Sequence, residues 1–66
     1  MARLEKGERE EREHKLLRLL RRLHWGIRES EIAQELGWQR RTVNNYLHEL
    51  KELKQAYREG RLWFAE

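Results

Sequence analysis

Apolar residues along this 66-residue chain fall into three clusters at helical spacing and then change period. Leu16, Leu19, Leu20 and Leu23 recur at three and four, with Leu17 broadening the stripe and Arg18, Arg21 and Arg22 on the other side. That pattern predicts an amphipathic helix. Ile32, Ala33 and Leu36 line one face of a shorter second helix, and Val43, Tyr46, Leu47 and Leu50 line a third. Ala56-Tyr57-Arg58 and Arg61-Leu62-Trp63-Phe64 then form two β-prone runs around Glu59-Gly60, which predicts a hairpin. A hairpin this short is not stable alone in water, so it must pack on the helices.

Spacing places the helices at about 8–24, 29–36 and 39–53 and the hairpin at about 56–64. The predicted core is Leu16, Leu20, Leu23, Ile32, Ala33, Leu36, Val43, Leu47 and Leu50. Gly7 is expected to separate a flexible N-terminus (1–7) from a single domain (8–66). Glu8, Glu10 and Glu11 suit the positive end of the first helix, and Glu8–Arg12 and Glu11–Lys15 are acid-first pairs four apart. Apart from these, the charged start of the helix reads as a solvated extension, with a dimerising helix as the alternative. Trp25-Gly26-Ile27 is the connector, with Gly26 turning the chain and Ile27 returning to the core.

The second helix has two candidate starts. Ser30 is the better capping chemistry, whereas Arg28 has the better spacing, because Glu31 could then reach back to it. Spacing favours Arg28. Gly37 supplies the turn into the third helix. A two-residue turn at Glu59-Gly60 would put Tyr57 opposite Leu62 and Ala56 opposite Trp63. Both faces of that hairpin contain large apolar groups, so the inward face stays open.

The polar side of the third helix is the informative one. It contains Gln39, Arg40, Arg41, Thr42, Asn44, Asn45 and His48, and no carboxylate lies between Glu35 and Glu49. In a chain that is 41% charged, with 15 Lys and Arg against 12 Asp and Glu, such a gap is informative. It suits a surface that faces phosphates, and amide side chains can pair with base edges. Arg40, Asn44 and His48 fall on one outward stripe, flanked by Arg41 and Asn45. Gln39 and Thr42 sit at the helix start, where free amide groups favour a phosphate. Asn44 suits adenine and Arg40 suits guanine as base-edge partners.

Composition changes the picture little. The net charge of +3 and a pI near 9.7 permit a nucleic-acid partner without demanding one. With no cysteine, neither a disulfide nor a thiolate metal site can staple so small a core. No apolar run approaches membrane-spanning length and no signal-peptide pattern is present, so a cytoplasmic location is expected, nucleoid-associated if the polar face of the third helix meets DNA. His14, His24 and His48 never form a pair four apart, and Ser30 is the single serine with nothing to mark it as a nucleophile. No cofactor motif occurs. The chain therefore reads as neither an enzyme nor a metal or cofactor protein.

Helix, helix–turn–helix, hairpin is the order of a winged helix, mainly α with a short β-hairpin wing on a three-helix core. LLRLLRRLHWGIRESEIAQELGWQRRTVNNYLHEL followed by YREGRLWF resembles the N-terminal DNA-binding domain of bacterial DeoR-like and WYL-domain transcriptional regulators. The resemblance covers roughly Glu11 to Phe64. It is most specific at Glu31-Ile32-Ala33, Leu36-Gly37, Arg40-Arg41-Thr42-Val43, Leu47 and Leu50. It implies a DNA-binding transcription factor, for instance a repressor, with double-stranded DNA as partner. Contacts would come from Gln39 through Asn45 on the recognition helix, and Arg41, Thr42 and the wing residues Arg58 and Arg61 would hold phosphates.

Three departures from that family stand out. Leu53-Lys54-Gln55 replaces the glycine common after the recognition helix. The wing is very short. The C-terminal effector or dimerisation domain of the family is absent from this stretch, so the chain is expected to be a fragment or a stand-alone small regulator. One recognition helix grips one half-site, so a homodimer on DNA or that further domain is expected to supply tight binding. The alternative reading is a protein-interaction winged helix binding RNA polymerase or another regulator, with Trp25 and Trp63 as partly exposed anchors.

Overall fold

The computed structural model describes residues 6–66. Its elements run α1 (Lys6–Arg22), β1 (Ile27–Arg28), α2 (Glu29–Leu36), α3 (Arg40–Glu52), β2 (Ala56–Glu59) and β3 (Leu62–Ala65). Three helices and a small antiparallel sheet in the order β1-β3-β2 make a winged helix-turn-helix. The flexible N-terminus expected at 1–7 lies mostly outside the described residues. Where it enters them, Lys6 and Gly7 already belong to α1, so Gly7 does not mark the helix start. That helix also ends two residues sooner than its leucine stripe predicts, at Arg22, and Leu23 N–H still bonds back to Leu19.

Leu16, Leu20, Ile32, Val43, Leu47 and Leu50 are the fully enclosed centre of the core. Ala33, Leu17, Leu19, Tyr46, Ile27, Ala56 and Trp63 complete it. Leu23 and Leu36 were expected among them but are only partly buried, because each sits at the last turn of its stripe and packs on the edge. Trp63 is 2% exposed and therefore cannot be a surface anchor, whereas Trp25 is 64% exposed beside His24.

Arg28 is the N-cap of α2, as spacing favours, with extended backbone (φ −79°, ψ 154°). Its backbone N–H donates to Glu31 Oε1 at 3.1 Å. A guanidinium has no acceptor, so Arg28 cannot return the bond and only half of a capping box forms.

α2 and α3 end in the same way with different residues. Gly37 takes φ +69°, and Trp38 N–H bonds to the Ala33 carbonyl at 3.0 Å. After α3, Lys54 takes φ +59°, its N–H bonds to Lys51 at 3.0 Å, and Gln55 N–H bonds to Leu50 at 2.8 Å. Both are Schellman turns. The second places a lysine where glycine is at ease, which answers the missing glycine of the sequence at an energetic cost.

The hairpin has a different register from the one the sequence suggests. Ala56 pairs with Ala65, Tyr57 with Phe64, Arg58 with Trp63 and Glu59 with Leu62. The turn is therefore Gly60-Arg61, not Glu59-Gly60. It places Gly60 (φ +62°) at the first central position, where positive φ is needed, and leaves Glu59 in the strand. Each residue's partner moves by two, and because a strand alternates with period two, the faces are unchanged. Ala56 and Trp63 are on the buried face, and Tyr57 stacks on Phe64 at 5.1 Å on the other.

β1 has only two residues, too few for a periodic signal. Ile27 pairs with Trp63 and Arg28 with Leu62, which ties the wing to the entry of α2. Gly26 makes the approach possible. A Cβ there would lie 2.8 Å from the Phe64 ring, and its φ of +100° is one that side chains avoid.

Candidate nucleic-acid interface

β1 on one side and the hairpin on the other bring three segments around an open groove of about 380 Å³. Arg28, Glu29 and Ser30 come from the start of α2. Arg40 and Asn44 come from α3, and Arg58, Gly60, Arg61 and Trp63 from the hairpin. Four arginines against one carboxylate leave a strong positive field in a space open to solvent.

α3 presents its side chains to this groove in register. Gln39 is the N-cap, extended and exposed, and its side chain makes no capping bond. The first turn of α3 contains no acid. Arg40 and Asn44, one turn apart, both reach the carboxylate of Glu29. Arg40 Nη2 donates to Oε1 at 3.2 Å and Asn44 Nδ2 donates to Oε2 at 2.7 Å. The Arg40 side chain is 67% exposed, so this pair contributes about 0–1 kcal/mol to stability. Its consequence is geometric: it orders two polar side chains on the outward face.

His48 continues the stripe and meets the edge of Trp63, with ring centroids 5.9 Å apart and planes at 80°. The Arg58 guanidinium lies over the same indole, 5.6 Å from its centroid. Trp63 thus links α3 to the wing, and the cross-strand pair Arg58–Trp63 sets where the guanidinium sits.

Of the nine residues singled out from the sequence, the groove gathers Arg40, Asn44, Arg58 and Arg61. His48 borders it through Trp63. Gln39, Arg41 and Asn45 are exposed and Thr42 is half-buried, none of them lining it. Sequence reasoning missed Arg28, Glu29 and Ser30. Arg28 and Ser30 enter it only as candidate helix starts and Glu29 not at all, and only the pairing of β1 with β3 carries this segment to the wing.

α3 has a third edge, directed at α1. Glu49 forms an ion pair with Arg9, and Glu13 lies beside it. The hydrogen bond between the two carboxyl groups, followed by partial burial, pushes Glu13 above the usual carboxylate range. The same bond holds Glu49 below that range, and Arg9 adds to the effect. Arg12 stacks over Trp38 at 5.7 Å. The charged part of α1 is therefore docked on the helix-turn-helix rather than wholly solvated. Neither expected pair along α1, Glu8–Arg12 or Glu11–Lys15, is among the ion pairs of the described residues.

Residues 8–61 match the homeodomain-like domain family. The chain belongs to that family. Its helix-turn-helix points to DNA binding, typically by transcription regulators. No curated protein and no solved structure matches the chain. No helix among the described residues is long and apolar enough to cross a membrane.

Proposed function

We propose that this chain is the sequence-specific, double-stranded DNA-binding domain of a bacterial-type transcription regulator of the DeoR-like or WYL-domain kind. α3 enters the major groove, and the short wing rests on the backbone. The observation that carries the reading is the groove itself, where Arg40 and Asn44 stand one turn apart on α3 among Arg28, Arg58 and Arg61. Arg40 and Asn44 read base edges, guanine and adenine being the partners their geometry suits. Gln39, Arg41 and Thr42 hold phosphates at the front of α3, with Asn45 and His48 beside the base-reading pair. Arg58 and Arg61 hold phosphates on the wing.

A single domain offers one recognition helix, so it grips one half-site weakly and with steep salt dependence. Tight binding needs two copies on DNA, or an effector or dimerisation domain in the same regulator. The direction of regulation, repression in the simplest case, follows from where the site lies relative to a promoter.

Fluorescence anisotropy with labelled duplexes across a salt series tests the reading. Binding that weakens steeply with salt and differs between duplex sequences supports it. Replacing Arg40, Asn44 and Asn45 together by alanine should abolish sequence preference, and binding left intact would refute the assignment. The rival reading, a protein-binding winged helix, has the exposed Trp25 in its favour. It would prevail if no duplex bound at low salt.

A further inference from the structure

Glu29 is out of place on a surface that meets phosphates. Among the described residues it is the single carboxylate lining the groove, and it stands among four arginines. An acid there weakens the attraction of the groove for any nucleic acid, so its presence calls for a compensating role. Its side chain is 20% exposed, and its two oxygens are divided between Arg40 and Asn44.

We propose that Glu29 is a positioning residue for recognition, holding Arg40 and Asn44 as one pre-ordered pair and so setting sequence selectivity. The proposal rests on the DNA-binding reading above. A carboxylate only accepts hydrogen bonds, so Asn44 must turn Nδ2 toward it. The amide orientation is thereby decided before any ligand arrives. Oδ1 and the second N–H of Asn44 remain available, which is the donor and acceptor pair that adenine requires. Arg40 has five N–H donors and gives one to Glu29, leaving enough for the fork that guanine accepts.

Two consequences follow, and they act in the same direction. Side chains already held in place lose less freedom when they dock, so a matched base pair gains more from them. A guanidinium already paired with a carboxylate is also less available to any passing phosphate. Selectivity rises while indiscriminate affinity falls.

The test selects binders from a library of random 20-bp duplexes, then measures affinity for a selected duplex and for its scrambled counterpart. Wild type, Glu29→Gln and Glu29→Ala are compared at one salt concentration. Gln keeps one acceptor oxygen and Ala keeps none, so the selected-to-scrambled ratio should fall about 3-fold in the first and about 10-fold in the second. Affinity for the scrambled duplex should rise about 2-fold in both, with a steeper salt dependence, because a negative charge has left the groove. A merely structural role would instead lower the melting temperature and both affinities together. An unchanged ratio in both variants, with wild type still selective, overturns the role of Glu29 and leaves the DNA reading standing. A wild type that selects no sequence overturns both.

Discussion

Val43, Leu47 and Leu50, on the inward side of α3, are at most 1% exposed, whereas Arg40, Arg41, Asn45 and His48 on the outward side are exposed. The two faces share one backbone and one set of helical hydrogen bonds. They differ in what a substitution removes. Inward, each side chain is locked in a packed interior, so its loss leaves a cavity. Outward, the side chains make weak, solvent-screened bonds whose loss scarcely affects folding. The difference teaches that stability and binding can be changed separately on a single thirteen-residue helix. The boundary between the two faces is where that separation is sharpest.

The largest effect is expected inward. Leu47→Ala should cost about 2–5 kcal/mol, as for a buried leucine. A domain of this size has roughly 3–10 kcal/mol in total, so thermal or urea unfolding should find the variant barely folded. A variant that melted like the parent would break the comparison. Next is Asn44→Ala, which should relax sequence discrimination by about 1–3 kcal/mol while costing about 0.5–1.5 kcal/mol of stability, because half-buried Asn44 donates to Glu29. Competition between matched and mismatched duplexes, beside a thermal melt, reads both halves of that statement.

Arg58→Ala should weaken all duplexes alike and lower the slope of log K against log salt by about one. Its stacking on Trp63 makes a small loss of stability the accompanying signature. Lys54→Gly lies at the end of the helix, beyond both faces. Glycine relieves the positive φ, and the variant should gain about 0.5–1 kcal/mol, visible as a higher melting temperature with DNA affinity unchanged.

The smallest effect is expected on the edge that meets α1. Glu13 is raised above the usual range, so the stability it contributes is present at low pH and is lost as pH rises through its folded value. Glu49 is lowered, so the stability it contributes has the opposite pH dependence: it is present at neutral pH and is lost as pH falls through its folded value. Glu13→Gln keeps a donor to Glu49 at every pH. It should melt about 1–2 °C higher than the parent at pH 7, and the gap should close toward pH 4. A constant gap across that range would show that the two carboxyl groups do not share a proton.

How much of this was legible beforehand depends on the range of the interaction involved. The leucine stripe of α1, the apolar face of α3 and the turn at Gly37 are local patterns, readable because helical periodicity brings residues three and four apart together. The polar residues between the apolar positions of α3 are legible as its outward face for the same reason. The hairpin was visible as a change of period, and its faces survived a wrong register because strands alternate by two.

Periodicity, side-chain chemistry and the placement of glycine were thus determined by the sequence alone: three helices, a wing, and a polar outward face on α3. The tertiary structure decided what those patterns leave free. A two-residue strand has no period to read, yet β1 carries Arg28 to the wing by pairing with β3. Lys54 accepts a glycine conformation because packing of the hairpin on α3 requires the chain to turn there. Glu29 meets Arg40 and Asn44, 11 and 15 residues away, because α2 and α3 pack across Gly37. Such contacts depend on how whole elements dock, and docking is governed by the summed burial of the core rather than by any local run of residues.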